Sequence, residues 1–141
     1  RTQQLNFFDL GGRLILVDLP GFGYAKVAKR RVRGWTGLIQ RYLSGRPSLR
    51  RVCLLIDARH GAKPVDRDFM TQIDKAAVSY QIVLTKADEL KPQELAERIA
   101  ALATELKQHP AAHPEIIPTS AHEGTGIAEL RAALAALAQF D

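Results

Sequence analysis

One cysteine, Cys53, occurs in 141 residues, which excludes an internal disulfide and fits a reducing cytoplasm. It lies within the apolar run of residues 52–56 (VCLLI), where a small core residue is the simplest reading. No apolar stretch approaches membrane-spanning length and the amino terminus carries no secretory pattern, so no membrane partner is expected. His60, His109, His113 and His122 share no metal-ligand spacing with the lone cysteine, which argues against zinc. Internal repeats and low-complexity linkers are also absent, and the first residue is Arg1, not methionine. What is present is 46% hydrophobic and 25% charged, the make-up of one ordinary folded domain able to bury a core unaided. A net charge of +5 permits a polyanionic partner without demanding one, and monomer is the default oligomeric state.

The chain is organised around residues 14–23, LILVDLPGFG. Four apolar residues read as a strand buried on both faces, ended by Asp18 and a Pro20-Gly21 turn. Residues 5–10 and 13–17 flank Gly11-Gly12, a two-residue turn predicting an antiparallel hairpin. Residues 26–51 are basic, and Val32, Trp35, Leu38, Ile39, Tyr42 and Leu43 recur within them at helical spacing, with Trp35 as a core anchor. Residues 44–47 (SGRP) stop that helix. A second strand buried on both faces spans 51–57, and a helix over 65–77 faces Phe69, Met70 and Ile73 inward. A third strand spans 81–85. Pro92 starts a helix striped by Leu95, Ile99, Leu102 and Leu106 and broken at His109-Pro110. Residues 115–118 form a fourth short strand, and Thr125 caps a last helix carrying Ile127, Leu130, Leu134 and Leu137. Strands alternating with helices predict βαβ units and a mostly parallel sheet with right-handed crossovers.

Three strand ends then share one rim: Asp18-Leu19-Pro20-Gly21, Thr85-Lys86-Ala87-Asp88 and Thr119-Ser120-Ala121. Each alone also suits a plain turn or a solvated loop. Together and in order they suit a purine nucleotide. An ionised carboxylate accepts two parallel N–H bonds, and the guanine edge offers that pair in N1–H and N2–H₂. Adenine presents a ring acceptor there instead. Hydrogen bonds to charged groups contribute about 1.5–3 kcal/mol each, so Asp88 would discriminate steeply. Lys86 can lay its alkyl stem along the base, and the Ala121 N–H can donate to guanine O6. Gly21 lets backbone approach an anion, and Asp18 can hold a hard cation beside it.

The order DLPG, TKAD, TSA resembles the third, fourth and fifth nucleotide-contacting elements of translation-factor-class P-loop GTPases. More narrowly, DLPGFGYA, a basic Trp-containing helix, LLIDARHG and IVLTKAD resemble the EngB (YihA/YsxC) family of bacterial ribosome-assembly GTPases, over nearly the whole chain. The resemblance implies a P-loop NTPase-type three-layer α/β sandwich, mostly parallel with an antiparallel edge hairpin, binding GTP or GDP with Mg²⁺. It implies that Thr2 closes on the metal with Arg1 and Gln3 beside it, and that Asp18 is metal-linked. Gly21 then senses the γ-phosphate, with Leu19 and Pro20 in the same loop. Thr85, Lys86, Ala87 and Asp88 read guanine, and Thr119, Ser120 and Ala121 support them. It also implies a role in large-subunit maturation, with a link to cell division and septation.

Two departures follow. No G-x-x-x-x-G-K-[ST] occurs, so the β-phosphate has no holder, and the strand that precedes that loop is also missing from the middle of the sheet. The natural protein is therefore expected to carry roughly forty to sixty further residues upstream, and the 141-residue piece of this G domain to bind GTP poorly. Phe22 stands where many GTPases place a water-orienting glutamine, so no catalytic residue is assigned and turnover is expected to be slow or partner-assisted. Lys26, Lys29, Arg30, Arg31 and Arg33 suit either ribosomal RNA phosphates or a solvated helix face. Asp57 caps its strand or pairs with Arg59, and Asp66 and Asp68 sit in a helix first turn. The rival readings are a nucleotide-independent RNA- or ribosome-binding module on the same fold and, less favoured by Asp88, an adenine-nucleotide enzyme.

Overall fold

The computed structural model describes residues 41, 43 and 47–138, with the backbone alone of residues 6–10 and 14–18. The predicted hairpin forms: β1 (Asn6–Leu10) runs antiparallel to β2 (Leu14–Asp18). The register pairs Leu10 with Leu14, so three residues connect the strands and not the two expected from Gly11-Gly12. The basic segment lies outside the described residues except at its end, where Arg41 is exposed and Leu43 is buried in the core.

From residue 47 the chain alternates strand and helix. β3 (Val52–Asp57), β4 (Tyr80–Thr85) and β5 (Ile117–Pro118) make a parallel sheet in that order. Between them run α1 (Pro64–Ala76) and α2 (Pro92–Leu106), and α3 (Ile127–Leu137) follows. Both α1 and α2 begin with proline, whose fixed φ suits the first turn and whose missing N–H costs nothing there. The preceding lysines, Lys63 and Lys91, are extended at ψ 164 and 152, as a residue before proline prefers. In each case the helix's third residue reaches back: Asp66 Oδ2 accepts from Lys63 N at 2.8 Å and Glu94 Oε1 from Lys91 N at 3.0 Å.

The core lies on one face of the sheet. Val52, Leu54 and Ile56 of β3 stand beside Tyr80, Ile82 and Leu84 of β4, and Phe69, Met70, Ile73, Leu102 and Leu106 from α1 and α2 join them. Because side chains alternate along a strand, Cys53 and Leu55 fall on the other face. There the expectation of a strand buried on both sides fails for β3: Leu55 is 61% exposed and Cys53 half-buried. The reason is position. Among the described residues β3 pairs with β4 alone, beside the place where the sequence leads one to expect a further strand, whereas β4 is buried on both faces, Gln81 and Val83 included.

Beyond α2 the chain makes a strap the sequence did not suggest. Asp74 of α1 accepts from Ala111 N at 3.1 Å and meets His109 Nδ1 at 2.6 Å. Residues 111–113 then bond to Tyr80, through Tyr80 N to Ala111 O at 3.1 Å and His113 N to Tyr80 O at 2.7 Å. Thr125 is not the cap of the last helix. Gly126 is, with φ 76, and a Cβ there would collide with the Pro118 carbonyl oxygen. Thr125 instead gives its carbonyl to Ser120 N at 2.9 Å. Ile127, Leu130, Leu134 and Leu137 are only half-buried, so α3 has no fully buried residue.

Gly126→Ala is expected to destabilise the protein by more than about 2 kcal/mol, adding left-handed strain to a backbone collision. Thermal melting should show a drop of several degrees; an unchanged melting temperature would mean that β5 and α3 shift apart freely.

Candidate functional site

The carboxyl ends of β3, β4 and β5 form one rim of the parallel sheet, where open α/β sheets place ligands. At the end of β4, Lys86 takes a left-handed backbone, φ 57 and ψ 36, and opens a 3₁₀ turn over Ala87–Glu89. A non-glycine residue in that region is uncommon and is held there by its surroundings. The main holder is a hydrogen bond from Ala87 N to Thr119 O at 2.9 Å, which ties this turn to the loop after β5. Ala87 is buried beneath the turn, while Lys86 and Asp88 on either side are exposed.

The loop after β5 is braced from within. Thr119 N and Oγ1 both donate to Leu84 O, at 2.7 and 2.9 Å. Ser120 Oγ accepts from Glu123 N at 3.0 Å, and Ser120 O accepts from Gly124 N at 2.7 Å. Both hydroxyl side chains are buried and hydrogen-bonded, and the backbone groups of Thr119 and Ser120 are engaged as well, so these two residues shape the loop. Ala121 is exposed beside them. Neither the Ala121 N–H nor the Asp88 carboxylate has a hydrogen-bond partner among the described residues. Thr85 Oγ1 makes only a long bond, 3.5 Å, to Ile56 O, while its carbonyl accepts from Ala58 N at 2.8 Å.

At the end of β3, Asp57 and Arg59 form the pair suggested by their spacing. Arg59 Nη2 lies 2.8 Å from Asp57 Oδ2, Arg59 Nε lies 3.1 Å from Oδ1, and the Arg59 N–H donates to Oδ1 at 2.9 Å. The Arg59 side-chain hydrogen bond outweighs burial and holds the Asp57 carboxyl at about 2, below the usual carboxylate range. Asp66 shifts the other way, because burial raises its carboxyl. Among the described residues no cluster of three or more His, Cys, Asp or Glu could hold a metal ion.

Thr85, Lys86, Ala87 and Asp88 are thus brought together with Thr119, Ser120 and Ala121 on one rim. Asp18 ends β2, and only its backbone is described. Arg1, Thr2, Gln3, Leu19, Pro20 and Gly21 lie outside the described residues, as do Lys26, Lys29, Arg30, Arg31 and Arg33. Sequence reasoning missed Arg98, whose Nη2 donates to Arg59 O at 3.2 Å across 39 positions. No local pattern announces such a contact.

Residues 44–139 match the family model of the elongation factor Tu GTP binding domain. The chain is 57% identical to the probable GTP-binding protein EngB of Rhodospirillum rubrum, over 98% of this chain and 62% of that protein. It is also 57% identical to the protein so named in Bradyrhizobium diazoefficiens, over 97% and 64%. The chain therefore spans just over three fifths of the length of these curated relatives. A crystal structure of a probable GTP-binding protein engB superposes with a TM-score of 0.76 at 19% identity, over 97% of this chain and 80% of that one. Translation elongation factor SelB of Methanococcus maripaludis, in complex with the GTP analogue GppNHp, gives a TM-score of 0.69 at 24% identity, over 96% and 28%. At these identities the two structures speak for the P-loop GTPase fold alone.

The direction of the Asp57 shift fixes a pH window. A carboxyl lowered in the folded state contributes stability above its ordinary value of 3.8, and loses it as pH falls through about 2. In urea titrations the wild-type advantage over Asp57→Asn should therefore be full at pH 5 and fade between pH 4 and 2. An advantage undiminished at pH 2 would show that the Arg59 contact does not set it.

Proposed function

The chain belongs to the elongation factor Tu GTP-binding domain family and stands with its EngB-type GTP-binding members; from that premise we propose that, at its natural length, it is a guanine-nucleotide switch acting in assembly of the large ribosomal subunit. The observation that carries the guanine assignment is the pairing of unused groups on the sheet rim. Among the described residues Asp88 offers an exposed carboxylate with free acceptors, and the exposed Ala121 an unbonded N–H, on two loops joined by the Ala87–Thr119 hydrogen bond. Guanine supplies the complementary set: N1–H and N2–H₂ donors for the carboxylate and O6 for the amide. Adenine would set its N1 lone pair against the carboxylate, leaving a desolvated charge without a partner.

The reading extends to groups the rim does not include. Thr2 and Asp18 would hold Mg²⁺ beside the terminal phosphates, where the ion neutralises the charge that hydrolysis displaces. Arg1 and Gln3 would flank the metal, and Leu19, Pro20 and Gly21 would report the γ-phosphate. A phosphate loop supplied by a longer chain would hold the β-phosphate, and without it binding would be weak. The basic residues Lys26, Lys29, Arg30, Arg31 and Arg33 would meet ribosomal RNA phosphates in the cytoplasm, their order set by nucleotide state. With Phe22 after the glycine, hydrolysis would be slow until a partner assists.

Titration of the protein at its natural length with a fluorescent GDP tests the base assignment. Unlabelled GTP should displace it and ATP should not; equal displacement by ATP would remove the guanine claim. Asp88→Asn should weaken GDP by about a hundredfold, the loss of a charged bidentate pair, and improve xanthosine diphosphate. An unaltered base preference in that variant would take Asp88 out of the site.

A further inference from the structure

The base assignment leaves one feature of the rim without a task, the Asp57–Arg59 pair at the end of β3. The guanidinium occupies both carboxylate oxygens in a fork, and the Arg59 N–H adds a third bond. Such a planar fork fixes a carboxylate in direction as well as place. The loop carrying Arg59 is clamped in turn. Arg98 Nη2 bonds Arg59 O at 3.2 Å, and a Cβ on Gly61 would come within 2.6 Å of Arg98 Nη1, so a side chain there would displace the Arg98 guanidinium from the loop. The fixed carboxylate faces Lys86: its Oδ2 lies 3.9 Å from Lys86 Nζ. Asp57 is also paired in register with Thr85, the residue before Lys86.

Lysine is a long, freely rotating side chain that gives no wall to a pocket unless its head is held. We infer that Asp57, oriented by Arg59, is a positioning residue for Lys86, drawing its ammonium toward the β3 side so that its stem lies as a fixed wall against the bound purine. The inference rests on the guanine reading of the rim and deepens it by naming a further element, the carboxyl end of β3, as a support of the base pocket. Asp57 is assigned no contact with the nucleotide; its effect passes through Lys86. Arg59 neutralises most of the carboxylate's charge, and Lys86 is 55% exposed, so the hold is modest and sensitive to salt.

The test is the dissociation rate of fluorescent GDP from the protein at its natural length, in wild type, Asp57→Asn, Asp57→Glu, Lys86→Met and the Asp57→Asn/Lys86→Met double variant. Asp57→Asn is nearly isosteric and keeps an acceptor for the Arg59 N–H, and melting curves confirm that each variant is folded. In dilute buffer it should speed dissociation about two- to fivefold, the size of a partly exposed ion pair. The gap should close in 1 M salt, and Asp57→Glu should restore most of the slow rate. In the Lys86→Met background, Asp57→Asn should change nothing further. An equal acceleration in both backgrounds, or none in either, overturns the inference while leaving the guanine reading intact. A wild-type protein that binds no guanine nucleotide overturns that reading and the inference with it.

Discussion

A single main-chain hydrogen bond, from Ala87 N to Thr119 O, holds the two described halves of the candidate base pocket in one geometry. It joins the loops that follow two neighbouring strands, and it is backed by the double donation of Thr119 N and Oγ1 to Leu84 O. Without that tether Asp88 and Ala121 would move independently, and no base could meet both at hydrogen-bond distance. Discrimination between purines depends on an unpaired donor or acceptor being costly, and it is costly only where the pocket cannot relax to spare it.

Stiffness at this rim comes from the strand beneath it. β4 is buried on both faces, and Tyr80, Ile82 and Leu84 have no exposed surface. The left-handed backbone of Lys86 is the cost of turning the chain abruptly from that strand into the 3₁₀ turn. Such strain persists only where the neighbouring structure over-determines it. Here the Ala87 bond on one side and the Thr85 carbonyl, fixed by Ala58 N, on the other leave little freedom. On the far side of the pocket Gly126 lets α3 begin directly against the Pro118 carbonyl, which keeps residues 120–125 a compact loop.

What the sequence made legible was local or periodic. The inward face of α1 followed from Phe69, Met70 and Ile73, the start of α2 from Pro92, and the parallel strands from short apolar runs between helical patterns. The loops of the rim were legible too, because Thr85–Asp88 and Thr119–Ala121 sit directly after strands whose ends a parallel sheet must align. The misses have a common cause. Thr125 is a good capping residue by type, yet the cap falls on Gly126 because Pro118 passes close by in space. Leu55 reads as core, yet it is exposed where, among the described residues, β3 has a strand neighbour on one side alone. The Asp74 strap and the Arg98 clamp bridge 35 and 39 positions. Each is decided by tertiary neighbours that no local window contains.

The rim is also economical in the groups it exposes. Thr119 and Ser120 have hydroxyls that could serve a ligand, but both are turned inward to shape the loop, so among the described residues the proposed contacts to a base are the Asp88 carboxylate and the Ala121 amide. This division makes chemical sense. A hydroxyl can donate or accept and would tolerate adenine as readily as guanine, whereas an ionised carboxylate can only accept and a backbone amide can only donate. By burying the adaptable groups and presenting the committed ones, the two loops would, on the proposed guanine reading, offer a polarity that matches a single base edge.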